Sequence, residues 1–298
     1  VKRNKLKRYI LIYLASAVLL TVFIGPFLWL VSSSLQMENQ LFRVPPVWFP
    51  NPVSLESYRE IFMGAIYDES YASTIGKSSS SYQARIYLRS FLNSLIIALS
   101  VSFFSVLFGA YAAYPIARMD FKGKYFLLFS ILAVRLVPAL ALAIPIVLFA
   151  KKMGMNDSLI TLIFINMSFV LPYVIWLLQA YFKTIPSEIE DAGRIDGCSR
   201  FQVVNKIIIP LSLPGLVTTG ILAFLLSWGE FLFALLITES EGSFTSTVVA
   251  AMFATMVGDI SYVTIIAAGV LSVIPPVLFA LFFQKYIMSG LLSGAVKN

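Results

Sequence analysis

The chain has 298 residues, of which 59% are hydrophobic and 12% charged, and its net charge is +7. A soluble domain carries about 25% charged residues, so this composition excludes an ordinary water-soluble globule. There is no histidine and one cysteine, Cys198, which excludes an intrachain disulfide, histidine metal ligands and histidine proton relays.

Six apolar blocks follow one another, over residues 10–34, 91–117, 125–150, 158–182, 211–238 and 262–287. A helix rising 1.5 Å per residue needs about 20 apolar residues to cross the hydrocarbon. A spanning segment must satisfy its own backbone, so each block predicts a helix. None alternates polar with apolar residues as a barrel strand would. The first block is longer than the core of a signal peptide and has no small-residue cleavage pattern at its end. The predicted fold is therefore an all-α integral membrane protein with six transmembrane helices. It divides into a basic N-terminus (1–9), a first span (10–34), an extracytoplasmic loop (35–90), a core of five spans (91–288) and a tail (289–298).

Basic residues set the orientation. Lys2, Arg3, Lys5, Lys7 and Arg8 share one side with Arg118, Lys122, Lys124, Lys183, Arg194, Arg200, Lys206, Lys285 and Lys297. The other side has Arg43, Arg59, Lys77, Arg85, Arg89, Lys151 and Lys152. The two-to-one bias predicts cytoplasmic N and C termini. It also explains the net charge through topology, with no nucleic-acid partner.

In the first outside loop, Pro45, Pro46, Pro50 and Pro52 precede a short predicted helix over 55–62, and Ser78 to Ser81 reads as flexible. Gly76-Lys77-Ser78 resembles the end of a phosphate-binding loop, but Tyr71 stands where the first glycine belongs. It is a decoy, on the wrong side of the membrane for ATP.

The inside loop between the fourth and fifth blocks, 184–210, is the most informative stretch. Ser187 and Glu190 have capping-box spacing and predict a helix start. Glu188, Glu190 and Asp191 then fall in its first turn, where the helix dipole favours them. Gly197 predicts the C′ end of that helix. Ser199 and Gln202 form a second capping box, and Pro210 is expected to open the fifth span.

Asp191-Ala192-Gly193, then Gly197, then Ile207-Ile208-Ile209-Pro210 resemble the EAA loop of ABC importer permeases. The spacing matches throughout, with Asp191, Gly193 and Ile209 departing from the usual Glu, Ala and Leu. Gly193 weakens helix propensity by about 1 kcal/mol relative to alanine, which predicts a looser first helix. Arg194-Ile195-Asp196-Gly197 and the tail from Gly290 to Lys297 resemble the carbohydrate, MalG-like branch of that family. Trp228-Gly229-Glu230-Phe231 resembles a fifth-span motif, with Gly229 in place of asparagine. Leu92-Asn93-Ser94 fits before the second span.

The resemblance implies a type I importer permease fold and a non-enzymatic subunit with no cofactor of its own. ATP and magnesium would be bound by a cytoplasmic ATPase dimer. The other implied partners are a second permease, an extracytoplasmic solute-binding protein, a sugar and the bilayer. It assigns ATPase coupling to Glu190, Asp191, Ala192, Gly193, Asp196, Gly197, Ile207 and Pro210. It assigns binding-protein contact to the loop around Gly258 and Asp259.

Polar residues inside the blocks are candidates for the pathway or a gate. These are Arg135, Asn166, Ser168, Tyr173, Trp228 and Glu230. A charge at mid-membrane costs about 2.5–3.5 kcal/mol on insertion scales. Arg135 lies about 15 Å and Glu230 about 28 Å from the cytoplasmic ends of their spans. The two are therefore not expected to pair unless helices break, for which Pro138, Pro145 and Pro172 supply sites. Arg135 is expected to face a wet cavity or bond carbonyls near Pro138, and Glu230 to meet an outer gate or the binding protein. The alternatives are a permease of the same family for a non-sugar solute, such as a glycerol phosphodiester or peptide, and an ion-coupled secondary transporter. The latter would need more ionisable groups or an inverted repeat. A membrane enzyme lacks any nucleophile and base set.

Overall fold

A computed structural model describes residues 2–63, 80–255 and 262–295. Gly76-Lys77-Ser78, Gly258, Asp259 and Lys297 lie outside the described residues.

Among the described residues all regular structure is helical. The main helices are α1 (Lys2–Ser34), α2 (Glu56–Met63), α3 (Ser80–Arg118), α4 (Lys124–Ala133), α5 (Ala139–Lys152) and α6 (Leu159–Phe182). They continue as α7 (Ser187–Ile195), α8 (Arg200–Leu211), α9 (Leu213–Trp228), α10 (Leu232–Ile237), α11 (Ser246–Thr255) and α12 (Tyr262–Ala295). Four stretches are single helices long and apolar enough to cross a membrane: Tyr9–Ser34, Ile86–Arg118, Leu159–Phe182 and Tyr262–Tyr286. Two bent pairs bring the number to six if each is one span: Lys124–Leu136 with Ala139–Lys152, bent by 88°, and Arg200–Leu211 with Leu213–Trp228, bent by 77°.

Neither bent span is the straight helix expected. The third breaks where Val137 takes ψ 122°, because the residue before a proline is pushed out of the helical region. The fifth begins at Leu213, after a turn at Ser212 with ψ 4°. Pro210 lies inside α8 instead of opening that span. A second break follows Trp228, and the chain resumes as α10.

The chain divides into two compact units, residues 1–88 with 250–273 and residues 89–249 with 274–298. In the first, the expected short helix is present as α2. The proline-rich stretch is tied back to the end of α1, with Gln36 Nε2 donating to the Val47 carbonyl at 2.6 Å and Trp29 edge-on to Trp48 at 4.6 Å. Tyr87 Oη donates to the Ala268 carbonyl at 2.6 Å.

The second unit packs α3, α6, α9 and the end of α12. Its aromatic core joins Ala98, Phe224 and Trp228 to Phe91, Leu95 and Phe279, with Phe224 stacked on Phe279 at 4.2 Å. Ser102 Oγ bonds the Gly220 carbonyl at 2.6 Å. Small residues and interhelical hydrogen bonds of this kind replace the hydrophobic effect where lipid is the solvent.

Candidate functional site

The loop between α6 and α9 is a bent helix pair. Its first arm, α7, is capped by Pro186, and Ser187 makes no side-chain cap. The expected capping box is therefore absent, because the Glu190 carboxylate is used elsewhere. At the other end the expectation holds. Gly197 has φ +87°, the Gly197 amide bonds the Arg194 carbonyl at 3.1 Å and the Cys198 amide bonds the Gly193 carbonyl at 3.0 Å. These two bonds are a Schellman motif, and the positive φ is what calls for glycine. The second arm opens with the expected box, the Gln202 amide donating to Ser199 Oγ at 3.3 Å and the Ser199 amide to Gln202 Oε1 at 2.8 Å. It then widens into a π turn over Val204–Ile208.

Glu190 is buried and faces the inner end of α3. Its Oε1 lies 2.5 Å from Arg118 Nε, and Tyr114 Oη donates to its Oε2 at 3.0 Å. Arg118 Nη2 also donates to the Ile185 carbonyl at 2.6 Å, tying down the turn before α7. With side chains only 14% and 10% exposed, this is a buried pair, and removing one partner of such a pair costs about 3–5 kcal/mol. The second arm has its own anchor on α3. Tyr111 Oη donates to Asn205 Oδ1 at 2.7 Å, and its ring stacks on Phe201 at 6.0 Å.

Gly193 sits where α7 meets the second arm. It is buried, and a Cβ there would collide with Cδ1 of Ile207. The small residue lets the two arms close on each other. The remaining motif residues separate by face. Asp191, Ala192, Asp196 and Gly197 are exposed beside Ile195, which is 85% exposed. Asp191 makes only a loose contact with Arg194, at 3.8 Å. Pro210 is exposed.

Among the in-span candidates, Glu230 turns onto its own chain. Its carboxylate accepts from the Phe233 amide at 2.7 Å and the Ala234 amide at 3.0 Å, so it caps α10, whose first amides the break after Trp228 leaves without helical partners. Arg135 Nη1 donates to the Phe169 carbonyl on α6 at 2.9 Å, a helix-helix contact instead of a bond near Pro138, and no Arg135–Glu230 pair forms. Ser168 bonds the Ile165 carbonyl at 2.6 Å, within its own helix. Tyr173 lies against Trp176 at 6.1 Å. Trp228 belongs to the aromatic core. Asn166 is buried and lines a small recess with Ser94, Ser227, Trp228, Glu230 and Thr245.

The sequence reading missed a second hub at the opposite end of the unit. Asp157, between α5 and α6, has φ 56°. Its Oδ1 accepts from the Glu239 amide at 2.8 Å, the Ser240 amide at 2.9 Å and Ser243 Oγ. Burial works to raise its pKa, but the hydrogen bonds from Ser240, Ser243 and the Glu239 amide outweigh it and hold the carboxyl well below the usual range. Asn93 Nδ2 donates to the Gly242 and Phe244 carbonyls at 3.0 and 2.9 Å, from within α3 and not from a loop before it. Asp157 follows an asparagine and precedes a serine at a block boundary, which is a turn signal, but nothing in the sequence tells which loop the turn would hold.

The fold and this loop define a class: a membrane subunit built of bent spans, with a two-armed helical loop fixed against the inner end of one of them. Residues 105–292 match the family described as binding-protein-dependent transport system inner membrane component. The chain is 32% identical over 296 residues to the trehalose/maltose transport system permease protein MalG of Thermococcus litoralis, covering 99% of each. It is 33% identical to the trehalose transport system permease protein SugB of Mycobacterium tuberculosis, covering 95% of this chain and 97% of that one. A solved bacterial ABC transporter chain, from a system that imports the acidic polysaccharide alginate, superposes with a TM-score of 0.75 at 20% identity over 95% of this chain and 98% of its own. The chain belongs to the family of binding-protein-dependent transport system inner membrane components. It is an ABC importer permease of type I fold and a multi-pass protein of the cytoplasmic membrane. It is not an enzyme, since ATP hydrolysis in this family belongs to a separate ATPase.

Proposed function

We propose that this permease forms half of the translocation pathway of an ATP-driven sugar importer, with an oligosaccharide as its cargo. A second permease supplies the other half, an extracytoplasmic binding protein delivers the solute, and a cytoplasmic ATPase dimer holds ATP and magnesium. Permeases for trehalose and maltose and for arabinooligosaccharides are among its full-length relatives, and these support the sugar reading.

The observation that carries the coupling role is the exposed face of the Schellman-capped helix α7. Asp191, Ala192, Ile195 and Asp196 face outward from an arm whose other side is fixed by Glu190 and Gly193. An exposed isoleucine beside small and acidic groups suits a cleft on a protein partner. ATP-driven closure of the ATPase dimer would shift this arm, and the attached spans would exchange inward for outward access. The permease makes no bond. It converts differential binding by the ATPase states into a population shift. The loop face around Asp191 to Gly197, with Ile207 and Pro210 behind it, is the coupling surface. Arg135, Ser168 and Tyr173, none of them buried, are the in-span residues best placed to meet solute.

The test is to purify the complex with its binding protein, identify the bound sugar and measure uptake into proteoliposomes. ATP-dependent uptake of that sugar is expected. Uptake that continues without the ATPase, or that follows the proton gradient, overturns the reading.

A further inference from the structure

Both arms of the cytoplasmic loop are fastened to one helix face. Tyr111, Tyr114 and Arg118 lie at i, i+3 and i+7 on the last two turns of α3, so they share one side of it. Tyr111 takes the second arm through Asn205 and the Phe201 ring. Tyr114 and Arg118 take the first arm through Glu190, and Arg118 also holds the Ile185 carbonyl. The arms are joined to each other where Ile207 covers Gly193. Between them, Gly197 is exposed, and an added Cβ would meet nothing within 4 Å. The loop is thus a braced wedge with two feet on the second span, although its covalent connections run to α6 and α9.

We propose that the second span is a driven element of the transport cycle, gripped by the loop through this stripe. Glu190 and Asn205 are positioning residues that bind the loop to α3, and they do not form part of the surface that docks the ATPase. Chain connectivity alone would pass a displacement of α7 to α6 and α9. The Glu190–Arg118–Tyr114 cluster passes it to α3 as well. Glu190 is buried and occupied on its own chain, whereas Asp191, one residue on, is exposed. Adjacent carboxylates thus divide the work, one facing inward and one outward.

This inference rests on the coupling-loop reading above, and the experiment separates the two. It uses the full complex with its ATPase, partner permease and binding protein, and it reads uptake, ATP consumed per solute and ATPase retained on purification. Glu190→Gln and Arg118→Met should each lower uptake at least about tenfold and raise the ATP consumed per solute, as expected when one member of a buried charge pair is left alone. The double variant should be no worse than the poorer single one, because both remove the same interaction. Arg118→Lys keeps a positive donor toward Glu190 and should retain about a third or more of wild-type uptake. Tyr114→Phe with Tyr111→Phe removes one hydrogen bond from each foot without stranding a charge, and should lower uptake about threefold at an unchanged membrane level.

The proposal fails if Arg118→Lys is as inactive as Arg118→Met while inserted at the wild-type level. It also fails if the double tyrosine variant transports normally, or if Glu190→Gln strips the ATPase from the complex while Arg118→Met does not. Uptake by the wild-type complex without its ATPase would instead overturn the coupling-loop reading itself.

Discussion

Two loops at opposite ends of the larger unit are each organised by one carboxylate, and they are built differently. Glu190 on the inside meets a full positive charge and a phenol in a buried setting. Asp157 on the outside meets two backbone amides and a serine hydroxyl, all neutral. The ionic arrangement is strong only while both charges are present, since a lone buried charge has no water to replace its partner. The neutral arrangement degrades step by step, because each lost donor costs about one hydrogen bond. The inner loop is suited to carrying force as a unit, and the outer loop to being held in shape.

Substitutions at the two ends test this contrast. Arg118→Met should have the largest effect, lowering stability by about 3–5 kcal/mol, read as an earlier thermal unfolding transition in detergent. A loss no greater than that of an exposed pair would mean that Glu190 is solvated in the membrane-bound protein. Next is Gly197→Pro, which removes the amide bonded to Arg194 and imposes negative φ. A penalty of about 3 kcal/mol should abolish most uptake while membrane insertion stays normal, and wild-type uptake would show that the Schellman turn is dispensable.

Asp157→Ala should cost about 0.5–1.5 kcal/mol, because the exposed Glu239 and Ser240 amides exchange their acceptor for water. Protease cleavage within residues 239–243 should rise, while the inner loop stays as resistant as before. The pH dependence has a definite sign. The carboxyl is held below its usual range, so its contribution is complete above the unfolded value near 4 and is lost as pH falls below it. Cleavage of that loop should therefore be flat from neutral pH down to about 4 in the wild type, and acid-sensitive only below. Asp157→Asn keeps an acceptor oxygen and should abolish the acid sensitivity with a smaller loss at neutral pH.

The smallest effect is expected from Gly193→Ala. The new methyl meets the end of the Ile207 side chain, which can rotate away, and helix propensity returns about 1 kcal/mol. Uptake within about twofold of wild type is expected, whereas Gly193→Val should part the two arms and lower uptake further.

The class was legible in the order of the residues alone. Apolar block length marked out the spans and made them helical, because a chain in hydrocarbon has few ways to satisfy its backbone. The cap residues Gly197, Ser199 and Gln202 were legible for the same local reason: each acts on groups within four residues of itself. Whatever joins distant segments came from packing in three dimensions. Pro138 announced a possible break, but its 88° angle depends on packing. Ser187 and Glu190 read as a capping box until Arg118, distant in sequence, claimed the carboxylate. Glu230 read as a charge for an outer gate or the binding protein, and only the break in its own span gave it a helix end to cap. Asp157 carried no signal stronger than a turn, because its partners are mostly backbone amides, and every residue but proline has one.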